Sequence, residues 1–204
     1  MSPRAYQLGK REAGTVASEE RIVAAARRLL AADGYPGFTV DNVAREADVA
    51  RMTVYHRFGS KPGLLEAVFD SLASHRGAPR LVEAIQAPDP LAGLASFIRL
   101  LGAFWNADRL IVRRLQGLTA IDPDFEQIWH AREDLRRQGL ERLAKRIAAL
   151  RGRPAGARLK RSVDILYALV SFATFDAAAG PDRPLTAVVP DLIRLARTAL
   201  EIGD

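Results

Sequence analysis

Residues 38–61 constrain this chain more than any other stretch: Phe-Thr-Val-Asp-Asn-Val-Ala-Arg-Glu-Ala-Asp-Val-Ala-Arg-Met-Thr-Val-Tyr-His-Arg-Phe-Gly-Ser-Lys. They read as two short helices joined by a tight turn. Thr39 is a helix N-cap, and Asp41 in the first turn complements the helix dipole. Val40, Val43, Ala44 and Ala47 then recur on one face at helical spacing. Ala44 is small enough for a second helix to cross close to it. Asp48 falls where the first helix must stop. It tolerates the left-handed conformation better than most residues, although glycine does so more cheaply. Val49 plugs the turn, and Val54 and Phe58 give the second helix its buried side. Arg51, Thr53, Tyr55 and His56 are left to point elsewhere. Such a helix-turn-helix lays its second helix in a DNA groove.

Upstream, Ile22, Ala26, Leu29 and Leu30 form the stripe of a helix expected over Glu19–Asp33, ended by Gly34-Tyr35. The two helices of the motif are expected at Val40–Ala47 and Arg51–Phe58. A further helix is expected from Lys61 to His75, with Leu64, Leu65, Val68, Phe69 and Leu72 on a wide apolar face, ended by Gly77 and Pro79. Beyond it the pattern predicts helices over Leu91–Ala107, Arg109–Thr119, Phe125–Leu150, Leu159–Ala179 and Val189–Glu201. Pro190 is tolerable in the first turn of the last. No stretch alternates as a strand would, so the chain is expected to be all-α.

As a block, Phe38-Thr39-Val40, Val43-Ala44, Ala47, Val49, Thr53-Val54-Tyr55, Phe58 and Ser60-Lys61 followed by Leu64-Leu65 resemble the DNA-binding signature of the TetR family of bacterial transcriptional regulators. With the upstream helix, the resemblance covers residues 19–72. Three positions depart from the family pattern: Asp48 replaces a glycine in the turn, Ala50 a Ser/Thr cap, and Met52 a small residue. Losing the cap costs about 0.5–2 kcal/mol relative to serine. Met52 puts an apolar group near the bases, where thymine methyls lie.

The resemblance implies roles residue by residue. Thr39, Tyr55 and Lys61 would hold phosphates; Arg45, Arg51, Met52, Thr53 and His56 would lie nearest the bases. Arg51 suits guanine, since its planar fork matches O6 and N7. Arg57 stands where the family usually has histidine. Partial packing of Tyr55 against the upstream helix is compatible with its phosphate role. The implied organisation is a flexible N-terminal arm (1–18), a helix-turn-helix domain (19–60), a linking helix (61–78) and an effector-binding and dimerisation domain (79–204). In the arm, Arg4, Lys10 and Arg11 are placed to track phosphates or a minor groove, although an untethered tail is the plainer reading.

The C-terminal domain of the resembling family commonly binds a small molecule between helices. Phe97, Leu101, Phe104, Trp105, Trp129 and Tyr167 are the large side chains available here, with His130 and Arg132 as polar neighbours; the same aromatics at helical spacing also suit a plain core. The segment Val163–Ala177 is apolar on two sides, Val163, Tyr167, Val170 and Thr174 on one and Ile165, Leu169 and Phe172 on the other. A helix apolar most of the way round is buried on both sides. With the stripe Leu192, Leu195, Ala196, Ala199 and Leu200 it suits a four-helix interface between two copies, where the resembling family dimerises; an internal core is the alternative.

Charge adds little. The formal net charge is +6, yet residues 1–78 hold 11 Lys/Arg against 9 Asp/Glu and the remainder 19 against 15, so the excess is not concentrated in the motif. From Arg136 to Arg161 there are ten Lys/Arg and one acid, Glu141, which reads first as a solvated face and a basic loop, and second as an anion or further DNA contact. There is no cysteine, hence no thiolate metal site or thiol nucleophile. His56, His75 and His130 fall in different elements, and no zinc spacing, phosphate loop or nucleophile elbow is present. We therefore expect no enzyme, cofactor or metal. No apolar run reaches a membrane span and no secretory signal opens the chain, so the expected place is the cytoplasm. The reading is a homodimeric repressor, released from an inverted-repeat operator in double-stranded DNA by a small-molecule effector. An activator, a ligand-independent DNA-binding factor and a non-DNA-binding interaction module are the alternatives.

Overall fold

The structure, a computed structural model, describes the backbone of residues 3–74, 78–152 and 156–200, and the side chains of residues 15–72, 79–152 and 156–200. Among the described residues it is all-α: twelve α-helices, one 3-10 turn and no strand. Two compact units are present, Met1–Leu72 with Arg114–Ile128, and Ala73–Arg113 with Trp129–Asp204.

The first unit opens with α1 (Pro3–Ala32), the single turn α2 (Gly34–Gly37), α3 (Val40–Glu46), α4 (Arg51–Phe58) and most of α5 (Lys61–Ser74). Helix α1 starts at Pro3 rather than near Glu19; past Pro3 no proline interrupts a run rich in helix formers. The side chains of Arg4, Lys10 and Arg11 lie outside the described residues, as does His75. Ile22, Ala25, Ala26 and Leu30 of α1 close over Phe38, Val43, Ala44, Val54, Leu64, Leu65 and Val68, all at most 4% exposed. The stretch 114–128 adds Leu115, Leu118 and Phe125 to the buried set. It also grips the turn after α1: Arg114 donates to the Leu30 carbonyl, and Asp122 accepts from the Tyr35 hydroxyl at 3.0 Å while its other oxygen caps the Phe125 N–H.

The second unit contains α6 (Ala78–Gln86), α7 (Pro90–Ala107), the start of α8 (Arg109–Leu118), the body of α9 (Pro123–Leu150), α10 (Ala157–Leu169), α11 (Phe172–Ala179), the 3-10 turn η1 (Leu185–Val188) and α12 (Val189–Ala199). Asp89 caps α7 by accepting from Leu91 N at 2.8 Å. Helices α6 and α7 approach so closely that a Cβ on Gly93 would stand 2.4 Å from the Ala84 carbonyl oxygen. Arg146 of α9 donates to the Ile85 and Ala87 carbonyls that end α6.

Two further expectations differ from the structure. Helix α6 was absent from the pattern reading, which took Pro79 as a stop; at the first turn of a helix proline starts one. The single helix expected over Leu159–Ala179 is two, because Ser171 caps a new helix. Its hydroxyl oxygen accepts from Thr174 N at 3.2 Å, while the Thr174 hydroxyl donates to the Ala168 carbonyl at 2.7 Å. No single helix among the described residues is long and apolar enough to cross a membrane; α10 and α11 meet that measure only as a pair bent by 53°.

Candidate nucleic-acid interface

The turn between α3 and α4 is built from local chemistry. Thr39 caps α3 by accepting from Asn42 N at 3.1 Å. At the other end the chain reverses through Asp48, φ 53°, the one non-glycine residue with positive φ among those described. Asp48 N donates to Arg45 O at 3.2 Å and Val49 N to Ala44 O at 3.0 Å, the paired bonds that close a helix through a left-handed residue. An aspartate therefore does here what glycine does more cheaply. Helix α4 begins at Ala50 without a side-chain cap. It ends at Gly59, φ 71°, and Ser60 starts α5 by accepting from Gly63 N at 3.1 Å.

Val54 is the buried residue of α4, at 1% exposure. On the other side, Arg51, Met52 and His56 are exposed, with Thr53 and Tyr55 half-buried beside them; Arg45 is exposed at the end of α3. Met52 stands 71% exposed, a large apolar side chain held in water. The Arg51 guanidinium is already engaged: Nη1 lies 3.2 Å from Asp41 Oδ2, Nη2 lies 3.3 Å from the Tyr55 hydroxyl, and its carbon sits 5.4 Å from the Tyr55 ring centroid. Two expected contact residues behave differently. Arg57 turns toward α1, donating to Thr15 at 3.0 Å and pairing with Glu19 at 3.5 Å, so its charge is used within the unit rather than offered outward. The Lys61 ammonium lies 3.7 Å from the Tyr35 ring centroid and 5.5 Å from that of Phe38. Burial lowers the Lys61 pKa, and the nearby Asp122 charge opposes that shift.

In the second unit, most of the expected effector residues pack as core. Phe97, Leu101, Trp105 and Trp129 are at most 9% exposed, Phe104 and Tyr167 are half-buried, and His130 is exposed. Trp105 meets the edges of Phe172 and Phe175 at 6.1 and 5.1 Å between centroids. The residues expected between two copies divide as well. Val163, Val170, Leu192, Ala196 and Ala199 are at most 4% exposed within one chain, where α12 packs on α7 and α10, so they have almost no surface left for a partner. Leu195, 48% exposed, keeps such surface, and Thr174 is half-buried.

Residues not singled out from sequence also carry structure. Arg136, counted in the basic run, has a side chain only 9% exposed. It pairs with Glu133 and lies 5.5 Å from the Trp105 ring and 4.9 Å from that of Tyr167, whose hydroxyl donates to Glu133 at 2.8 Å. Burial, then the Glu133 hydrogen bond and charge, raise the Tyr167 pKa. The signal was in the spacing: Arg136, Leu140, Leu143 and Ile147 share one face of α9, and the last three are at most 2% exposed. Asp41 was read only as a first-turn charge, and its pairing with Arg51 across the turn was missed.

Comparison with known proteins matches residues 22–68 to the model of bacterial regulatory proteins of the tetR family. The HTH-type transcriptional regulator AlkX of Mycobacterium tuberculosis is 30% identical over 123 residues, covering 57% of this chain and 55% of AlkX. YvkB of Bacillus subtilis, an HTH-type transcriptional regulator, is 36% identical over 61 residues, 30% of this chain and 32% of YvkB. The chain thus matches between about a third and just over half of the length of these curated relatives. Among solved structures, a TetR transcription regulator from Haloarcula marismortui superposes with TM-score 0.68 at 18% identity, covering 91% of this chain and 97% of that one. FadR of Bacillus subtilis, solved in complex with stearoyl-CoA, gives 0.66 at 17%, covering 88% and 98%. At these identities the structural likeness speaks for the fold.

Proposed function

We propose that this chain, whose residues 22–68 match the model of bacterial regulatory proteins of the tetR family, is a TetR-type, sequence-specific DNA-binding transcriptional regulator acting as a homodimer. The observation that carries the reading is the outer face of α4, set beyond the left-handed turn at Asp48, with Arg51, Met52 and His56 in solvent and Thr53 and Tyr55 beside them. In this reading α4 enters the major groove of double-stranded DNA. Arg51 takes a guanine, Met52 lies against a thymine methyl, and Arg45, Thr53 and His56 border the bases. Thr39, Tyr55 and Lys61 take phosphates, Lys61 leaving the Tyr35 ring to do so. Two copies present their α4 helices about one helical turn apart, ~34–36 Å, or somewhat more, which calls for an inverted-repeat operator.

In this reading the helix-turn-helix unit within residues 19–60 binds DNA, α5 (Lys61–Ser74) is the linking helix, and the second unit binds the effector and dimerises. A small molecule taken up between the helices of the second unit releases the operator, which makes the protein a repressor. The stearoyl-CoA complex of FadR supports an effector of this kind on this fold. Linkage requires that an effector which weakens DNA binding bind the DNA complex less tightly by the same factor. The close packing of Trp105 against Phe172 and Phe175 favours a second reading, a DNA-binding factor without a ligand. A thermal-shift screen separates the two: a stabilising compound that also weakens operator binding supports the repressor, and a screen with no such compound supports the second reading.

The test of DNA recognition is selection of bound duplexes from a random library at two salt concentrations. An inverted repeat is the expected product. On it, Arg51→Ala relaxes the preference at one base pair, a loss of about 1–3 kcal/mol, while Lys61→Ala weakens all duplexes alike and reduces the salt slope by about one. Recovery of only salt-sensitive, sequence-independent binding overturns the specific-regulator reading.

A further inference from the structure

We propose that Asp41 is a positioning residue for base recognition: it holds the Arg51 guanidinium in the orientation that reads guanine. The inference rests on the DNA-binding reading above and adds a residue that contacts no base. Asp41 sits in the first turn of α3 and Arg51 opens α4, so the ion pair at 3.2 Å spans the turn between the two helices. The Tyr55 hydroxyl, 3.3 Å from Nη2, and the Tyr55 ring, 5.4 Å from the guanidinium carbon, hold the same group from the second side. An exposed arginine ordinarily samples many rotamers, and docking on a base must order it. Here the carboxylate and the phenol order it before DNA arrives, which reduces that cost.

The donor count leaves room for the base. A guanidinium has five N–H donors, and the Asp41 and Tyr55 bonds use one on each terminal nitrogen. The donors that remain suffice for a bidentate contact with O6 and N7 of guanine. Alternative uses of the pair are weaker. Both partners are more than half exposed, at 57% and 56%, and exposed ion pairs contribute little to folding. A carboxylate on a surface that docks on phosphates also opposes binding to every duplex. Asp41 therefore has little to offer stability and weakens general affinity. Orientation of Arg51 is the use that its geometry supports.

That reasoning separates affinity from discrimination. In Asp41→Asn, binding to all duplexes is expected to stay level or strengthen, because a negative charge leaves the interface. Discrimination for guanine over adenine at the Arg51 position is expected to fall by about three- to tenfold, from a starting ratio on the order of 5- to 150-fold for a good bidentate contact. A residue that merely supported the fold would lower both together. Asparagine keeps the size of the side chain, and Thr39 still caps α3, so the variant is expected to keep its helical circular dichroism. Asp41→Glu, which restores the charge, is expected to recover part of the discrimination.

The experiment selects duplexes with the parent full-length protein, then measures binding to the selected operator and to its guanine-to-adenine variant for the parent, Asp41→Asn, Arg51→Ala and the double variant. The expected result is a loss of discrimination in both single variants and no further loss in the double variant, since Asp41 acts through Arg51. A parent that selects a guanine read by Arg51, with discrimination unchanged in Asp41→Asn, overturns the role of Asp41 and leaves the DNA-binding reading standing. Equal, additive losses in the double variant also overturn it. A parent that selects no sequence takes both readings down together.

Discussion

A Trp105→Ala protein is expected to lose about 3–5 kcal/mol of folding stability, the range for removing a large aromatic from a packed core. Trp105 is 3% exposed. Its ring meets Phe175 and Phe172 edge-on at interplanar angles of 74° and 79°, and each such pair contributes about 0.5–1.5 kcal/mol beyond its buried area. The Arg136 guanidinium lies 5.5 Å from the Trp105 ring centroid and would lose that aromatic neighbour. The side chain is buried and paired with Glu133, so the void would open beside a charge. Chemical denaturation of parent and variant measures the difference. A variant within about 0.5 kcal/mol of the parent, as at surface sites, would mean that Trp105 walls a space able to collapse or fill, and would return it to the effector set.

How much of this was legible follows from where each constraint lies in the chain. The motif was legible because its constraints are local: the Thr39 cap reaches Asn42, the Asp48 reversal closes on Ala44 and Arg45, and α4 has its expected bounds, Arg51–Phe58. Helix α7 was equally plain from its regular apolar stripe, expected over Leu91–Ala107 and found over Pro90–Ala107. Where one residue has two local meanings, the pattern failed. Pro79 stops one helix or starts the next, and Ser171 looks like a small residue within an apolar run until its hydroxyl caps α11. The rest depends on long-range contacts. Spacing gave α10 and α12 their apolar faces but not the body that covers them. Val163, Leu192 and Ala196 turn out to be covered by their own chain. Arg136 finds its rings in α7 and α10, and Asp41 finds Arg51 ten residues on, across a turn whose geometry sets the distance.

Removing the Arg109 guanidinium is expected to cost about 3 kcal/mol, the low end of the loss on breaking a buried ion pair. Arg109 of α8 donates from Nε to Asp176 Oδ1 at 2.6 Å, and from Nη2 to the Gly180 carbonyl at 2.6 Å. It reaches the Arg183 carbonyl at 3.0 Å as well. It thus neutralises a carboxylate in α11 and satisfies carbonyls at the end of the same helix, where cations are favoured. Arg109 and Asp176 keep 18% and 20% of their side-chain surface exposed, whereas Arg113, the other partner of Asp176, keeps 51%. Arg113 is therefore the weaker support, and Arg113→Ala is expected to cost less than Arg109→Ala.

Acid should dissolve part of this arrangement. Burial pushes the Asp176 carboxyl up, but hydrogen bonds from Arg113 and Arg109, with their charges, outweigh burial and hold its pKa below the usual carboxylate value. A carboxyl depressed by folding contributes stability that is complete above its unfolded value, about 3.9, and that fades as pH falls toward the folded one. Asp176→Asn keeps the shape and removes the charge. Its stability deficit against the parent is expected to be constant from neutral pH down to about pH 5, and to shrink below about 3.9 as the parent carboxyl takes up its proton. Denaturation of both proteins across that range is the measurement. A deficit that persists unchanged into acid would assign the loss to hydrogen-bond geometry at residue 176, and the Arg109 effect would then come from its bonds to the carbonyls of Gly180 and Arg183.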